Sequence, residues 1–255
     1  MFGSTLMVTA FLVFAVGAAI AAIVATRWSK GEQGDIVVVT RFLAAIYAAI
    51  SLVATVITVV TTLVSDVVRV TIPVQQFWPD VHPWVMLTPP PQASVVGGGI
   101  STADVDITGL GLDARLWLAG GHALQGMTFT LIALVVALLC HRMLAGSPFR
   151  ATLARSIAIV AATIAAGGMA WQVCFGVGGS IASDQALTVS AWAADGVSSE
   201  AMNYLMEYFE TTGLPQSAML IDLGFWPLML GLALAVIGLA FQHSARLQRD
   251  TEGLV

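Results

Sequence analysis

Five side chains of types that bind protons, metals or polar ligands stand near the ends of apolar runs: Asp66, His122, Gln125, Gln172 and Asp222. Imidazole titrates near neutral pH, and a carboxylate beside it would hold its proton. Polar groups are expensive in lipid, so each of these needs a partner. By residue count all five fall in the outer third of a bilayer crossed by those runs. If they converge, His122 pairs with Asp222 or Asp66, and the set becomes a site for a proton, a metal or a polar ligand. The opposing reading is plainer: polar residues near helix ends reach interfacial water or bond across helices. No metal centre is expected, because one histidine among scattered carboxylates has no diagnostic spacing.

A second cluster, FWPDVHPW at 77–84, packs Asp80 and His82 between aromatic residues and prolines. Two ligands with no third in register do not make a metal site. Trp78 and Trp84 suit a membrane–water interface, so the run reads as an interfacial anchor on a stiff, extended path. Gly97, Gly98 and Gly99 lack the lysine and hydroxyl of a phosphate loop and read as a turn. GxSxG and HExxH are absent, so no catalytic residue and no cofactor are expected, and the chain reads as a non-enzyme. Cys140 and Cys174 have no CxxC spacing and read as small buried hydrophobes.

The elements that must position these residues are apolar helices. The 255 residues are 58% hydrophobic and only 10% charged, whereas soluble domains are about 25% charged. Lipid is therefore the expected solvent, and the absence of a basic tract disfavours a nucleic-acid partner. Runs long enough to cross lie at about 6–25, 42–64, 116–139, 157–177 and 219–241. The expected fold is an all-α integral membrane protein of five transmembrane helices in one domain. Long outer loops are expected at 65–115 and 178–218.

Basic residues set the direction. Arg27, Lys30 and Arg41 flank one connection, and Arg142, Arg150 and Arg155 flank the other. Arg246 and Arg249 lie in the tail, and only Arg69 and Arg115 fall on the opposite side. The positive-inside rule then puts the N-terminus outside and the C-terminus in the cytoplasm. No basic residue precedes the first run, so it reads as a retained anchor rather than a signal peptide.

The second span carries Tyr47, Ser51, Thr55, Thr58 and Thr62 at steps of three or four, a polar stripe on one helix face. It either lines a wet path or lets helices pack closely while the hydroxyls bond back to their own carbonyls. The midplane carries no charge and no span is visibly broken, which disfavours an ion-coupled transporter. In the second outer loop, Met202, Leu205, Met206 and Phe209 recur at helical spacing opposite Glu200, Asn203, Glu207 and Glu210. That pattern predicts a short amphipathic helix.

At the cytoplasmic end, HRMLAGSPF places Gly146, Pro148 and Phe149 before the fourth span, and ARLQRDTEGLV closes the chain. This pair of motifs resembles the bacterial multi-pass membrane family catalogued as domain of unknown function 2975. The resemblance covers the last four spans; the leading helix and long outer loops depart from it. The family brings no activity. Its members are regarded as partners of small helix-turn-helix regulators, which implies a sensory or regulatory role. The expectation is thus a plasma-membrane accessory, sensory or regulatory subunit acting through its outer loops and tail. The bilayer and a membrane or cytoplasmic protein are its partners. The alternative is a small transporter or channel component with a polar path along the second span; a membrane redox or enzyme subunit ranks last.

Overall fold

The computed structural model describes residues 33–78, 96–144, 151–188, 202–203 and 215–252. The chain is mostly helical: α1 (Gln33–Val64), α2 (Leu112–Leu144), α3 (Ala151–Leu187) and α4 (Trp226–Glu252). Among the described residues three segments are long and apolar enough to cross a membrane: Val37–Val64, Leu112–Leu144 and Arg155–Leu187, with mean hydropathies of 2.4, 2.2 and 1.7. At about 1.5 Å per residue, the 28 residues of the first already exceed a hydrocarbon core of about 30 Å. Only 6% of its most apolar window is buried. Phe42, Ile46, Ile50, Val53, Val56 and Ile57 all stay exposed. In water that surface would be untenable, and in lipid it is an ordinary one. The expected first span, 6–25, lies outside the described residues.

Two expectations are corrected. The fold is not all-α, because β1 (Val67–Phe77) and β2 (Ile100–Thr108) form a two-stranded antiparallel sheet within the presumed loop 65–115. Val68, Val70, Ile72 and Val74 are buried while Val67, Arg69 and Thr71 are exposed. That alternation of β-branched residues is what a half-buried strand requires. The strands pair from Val67 opposite Thr108 to Pro73 opposite Thr102, with an irregularity between Pro73 and Phe77. Proline has no N–H for a ladder, so it sits where regular pairing ends. Gly98, at φ 105°, turns the chain just before β2, as the triple glycine predicts.

The last helix also starts later than expected. Residues 219–224 are not helical, and the helix begins at Trp226 with Pro227 in its first turn. Proline is tolerated there because the first-turn N–H groups have no partner within the helix. Its most apolar part, Trp226–Ala240, is shorter than a full span, so the expected stretch 219–241 is part helix and part irregular chain. The predicted amphipathic helix lies outside the described residues except for Met202 and Asn203, which are helical.

The chain divides into two compact units. One comprises Met1–Val53, Thr128–Ile164 and Met229–Val255. Within it Ala48, Ala133, Val135 and Ala161 are buried, and the Thr130 hydroxyl donates to Ser51 Oγ at 3.2 Å. The other comprises Ala54–Met127 and Ala165–Leu228. Its core joins the inner face of the ribbon (Val68, Val70, Ile72, Val74) to Leu110 just before α2, Ala114 and Leu118 at its start, and Ala182 near the end of α3.

Candidate functional site

The second unit holds the candidate site, built on one face of α3. Gln172, Gly176, Gly179, Ser180 and Ser183 succeed one another at steps of three or four, or one residue apart, and so line one stripe of the helix. The irregular segment before α4 runs along this stripe. Gln172 binds Gly224 at both backbone atoms: the Gly224 N–H donates to Oε1 at 2.6 Å, and Nε2 donates to the Gly224 carbonyl at 3.2 Å. Ser180 Oγ accepts from the Leu220 N–H at 3.2 Å and donates to its own helix at the Gly176 carbonyl at 2.7 Å. Buried Ser183 donates to the Pro73 carbonyl and accepts from the Ala218 N–H at 3.4 Å. Side chains of α3 thus act as the segment's hydrogen-bonding partners.

Close approach is what the glycines supply. A Cβ on Gly176 would meet the Ile221 Cα at 3.1 Å, and one on Gly179 would meet the Thr71 carbonyl oxygen at 2.9 Å. The segment also touches the ribbon, where Gln75 N–H donates to the Gln216 carbonyl at 3.0 Å and Val74 bridges Ser217. Gln172, Ser180 and Ser183 thus satisfy backbone groups of the segment that no helix or strand ladder satisfies.

Arg115 secures the other side of the ribbon's base. Its guanidinium donates to the carbonyls of Leu110 (2.9 Å), Leu63 (3.2 Å) and Ser65 (2.6 Å), with a longer contact to Thr62 (3.4 Å). It thereby caps the C-terminal carbonyls of α1, where the helix dipole favours a cation. Gln185 performs a smaller version, accepting from the Gly111 N–H at 2.8 Å and donating to Asp113 at 2.9 Å.

Where ribbon, α2, α3 and irregular segment meet there is a cavity of about 260 Å³. The ribbon contributes Thr71, Pro73 and Thr102, and α2 contributes Gln125. Trp171, Gln172 and Phe175 come from α3, Leu220 and Asp222 from the segment. Of the five residues singled out from the sequence, the cavity thus gathers Gln125, Gln172 and Asp222. His122 is instead packed edge-on against Phe175, with ring centroids 4.9 Å apart at 71°. Asp66 is exposed in the bend before β1 and does not line the cavity. Gln172, read as a ligand candidate, has its amide engaged by backbone. Among the described residues no group of three or more metal-ligating side chains occurs.

The polar stripe of α1 is engaged in packing and back-bonding. Thr62 is buried and donates to the Thr58 carbonyl at 2.8 Å. Thr55 lies against Gly126, leaving no space for a Cβ there. Ser51 takes the bond from Thr130, and Tyr47 is exposed. Trp78 is exposed beyond the end of β1, while Trp84, Asp80 and His82 lie outside the described residues, as do Gly146, Pro148 and Phe149. Cys140 and Cys174 are free thiols.

Sequence reasoning missed Arg115, Ser180, Ser183, Trp171 and Phe175. A signal for the serines was present: small and polar residues at 172, 176, 179, 180 and 183 mark one helix face, adjacent to a run that carries both Gly224 and Pro227. Comparison with models of known protein families, with curated proteins and with solved structures finds no match.

Proposed function

We propose that this chain is a multi-pass protein of the bacterial plasma membrane, with five spans, an outer N-terminus and a cytoplasmic tail, and that it serves as an accessory, sensory or regulatory subunit. One observation carries the reading. The ribbon is tied to the apolar helices at two points, the valine–isoleucine face on α2 and α3 and Ser183 on Pro73, and Arg115 holds the end of α1 just before the first strand. A force or ligand acting on the ribbon therefore bears directly on helices that continue into the bilayer. That coupling suits a part that receives a signal outside and passes it inward. The placement of the basic residues supports the orientation.

The resemblance to domain of unknown function 2975 implies a regulatory role. The transporter alternative needs a continuous wet stripe along α1. The close contact of Thr55 with Gly126 and the back-bond of Thr62 favour packing instead.

The test is photo-crosslinking in intact cells from the exposed face of the ribbon, with a benzophenone amino acid at Asp106. A subunit predicts one adduct of fixed mass that co-purifies in a stoichiometric complex. Recovery of the chain alone, together with solute flux in proteoliposomes, would sink the reading in favour of the transporter.

A further inference from the structure

The cavity at the ribbon's base has a lining that selects for one kind of ligand. Among the described residues Asp222 is its only charged one, and no lysine or arginine lines it. Trp171 and Phe175 form its aromatic part, and Trp171 is held in place by Trp226 at a centroid distance of 6.2 Å. Gln125 adds an amide, and among the described residues neither Gln125 nor Asp222 has a side-chain hydrogen bond to another residue. An anion would meet a carboxylate with nothing to neutralise it. A bare metal ion would find one carboxylate in a space of about 260 Å³, far more than a single ion fills. Aromatic side chains lining a space that also carries an exposed carboxylate suit an organic cation, since aromatic rings attract positive charge and cover methylenes. The volume lies just below the usual range for small-molecule sites, which limits the ligand to a compact one.

We propose that this cavity binds a small organic ammonium, its charge against Asp222 and its carbon body against Trp171 and Phe175. The ligand is either a free amine in the outer medium or the ammonium of a lipid headgroup at the interface. The proposal deepens the sensory reading and rests on it for its purpose. Its chemistry is tested on the isolated chain, so failure here leaves the partner test of the ribbon standing, and the reverse.

The full-length protein is reconstituted in nanodiscs of phosphatidylglycerol, which carries no amine. Choline chloride and ethanolamine hydrochloride are titrated in, with heat and tryptophan fluorescence as readouts and sodium acetate at equal ionic strength as control. Saturable binding of at least one amine and none of acetate is expected. Asp222→Asn should weaken it by about 10-fold or more, since a charge-assisted contact is lost. Thr102→Lys, at an exposed strand position on the rim, places a tethered ammonium in the cavity and should abolish binding. If Asp222→Asn does not fold, Thr102→Lys decides alone. A second set of discs contains phosphatidylethanolamine. A fall in apparent amine affinity there identifies the headgroup as the ligand, and unchanged affinity identifies the free amine. No saturable binding of either amine, or amine binding undiminished in both variants, overturns the proposal.

Discussion

Replacing Gln172 with leucine keeps the size of the side chain and removes its amide. Two backbone groups of Gly224 then lose their partners: the N–H now 2.6 Å from Oε1 and the carbonyl now 3.2 Å from Nε2. The third bond of the amide, to the Gly168 carbonyl at 3.0 Å, matters less, because a helical carbonyl keeps its own acceptor role. Each orphaned group costs about 1–3 kcal/mol. Gly224 is half-buried, so water reaches part of it, and the expected loss is about 2–4 kcal/mol. Ser180→Ala removes one acceptor for the Leu220 N–H and should cost about 1 kcal/mol. The assay is reversible unfolding in mixed micelles, followed by the fluorescence of Trp171 and Trp226, which flank the clamp. If Gln172→Leu stays within about 0.5 kcal/mol of the parent, as neutral surface changes do, the polar stripe of α3 does not hold the irregular segment. A larger loss in Ser180→Ala than in Gln172→Leu would refute the ranking.

Further outcomes follow from the same packing. Arg115→Leu uncovers the last carbonyls of α1 and should cost about 2–3 kcal/mol, with faster hydrogen exchange at Ser65–Val68 as the local readout. Ile72, at 1% exposure the best-buried side chain of the ribbon, should cost about 2–5 kcal/mol as alanine, measured by the same unfolding assay. Gly126→Ala drives a Cβ into Thr55 and should cost about 1–3 kcal/mol. Adding Thr55→Ala should recover part of that loss, whereas an additive double mutant would show that the two helices do not touch there.

Three of the apolar helices were legible because a continuous apolar run longer than about 20 residues matches the thickness of a bilayer and far exceeds what a small soluble core can cover. The ribbon was equally legible in principle: Val68, Val70, Ile72 and Val74 alternate with Arg69, Thr71 and Pro73, and Ala103, Val105 and Ile107 alternate with polar residues. It was overlooked because the neighbouring prolines and glycines drew the whole segment into a loop. The start of the last helix was misjudged for a different reason. Hydropathy does not distinguish an apolar helix from apolar irregular chain, and Met219–Phe225 is apolar but for Asp222 in either form. What holds it in place are Gln172, Ser180 and Ser183, far away in sequence, and such pairing has no local signature. The candidate site divides the same way. Polar residues in apolar runs pointed to Gln125, Gln172 and Asp222, but not to which were ligands and which were structural. His122 drew attention by its chemistry and turned out to pack against Phe175.

The central claim is a membrane protein whose ribbon faces outward. Cysteine accessibility tests it most directly, with Cys140 and Cys174 first replaced by alanine. One reporter is Val96→Cys beside the ribbon turn, where the side chain is 98% exposed. The other is His243→Cys, also exposed, in the helix that leads into the tail. A membrane-impermeant maleimide should label Val96→Cys in intact cells and reach His243→Cys only after permeabilisation. Labelling of His243→Cys in intact cells with Val96→Cys protected would invert the topology, and labelling of both in the soluble fraction would contradict the membrane assignment itself.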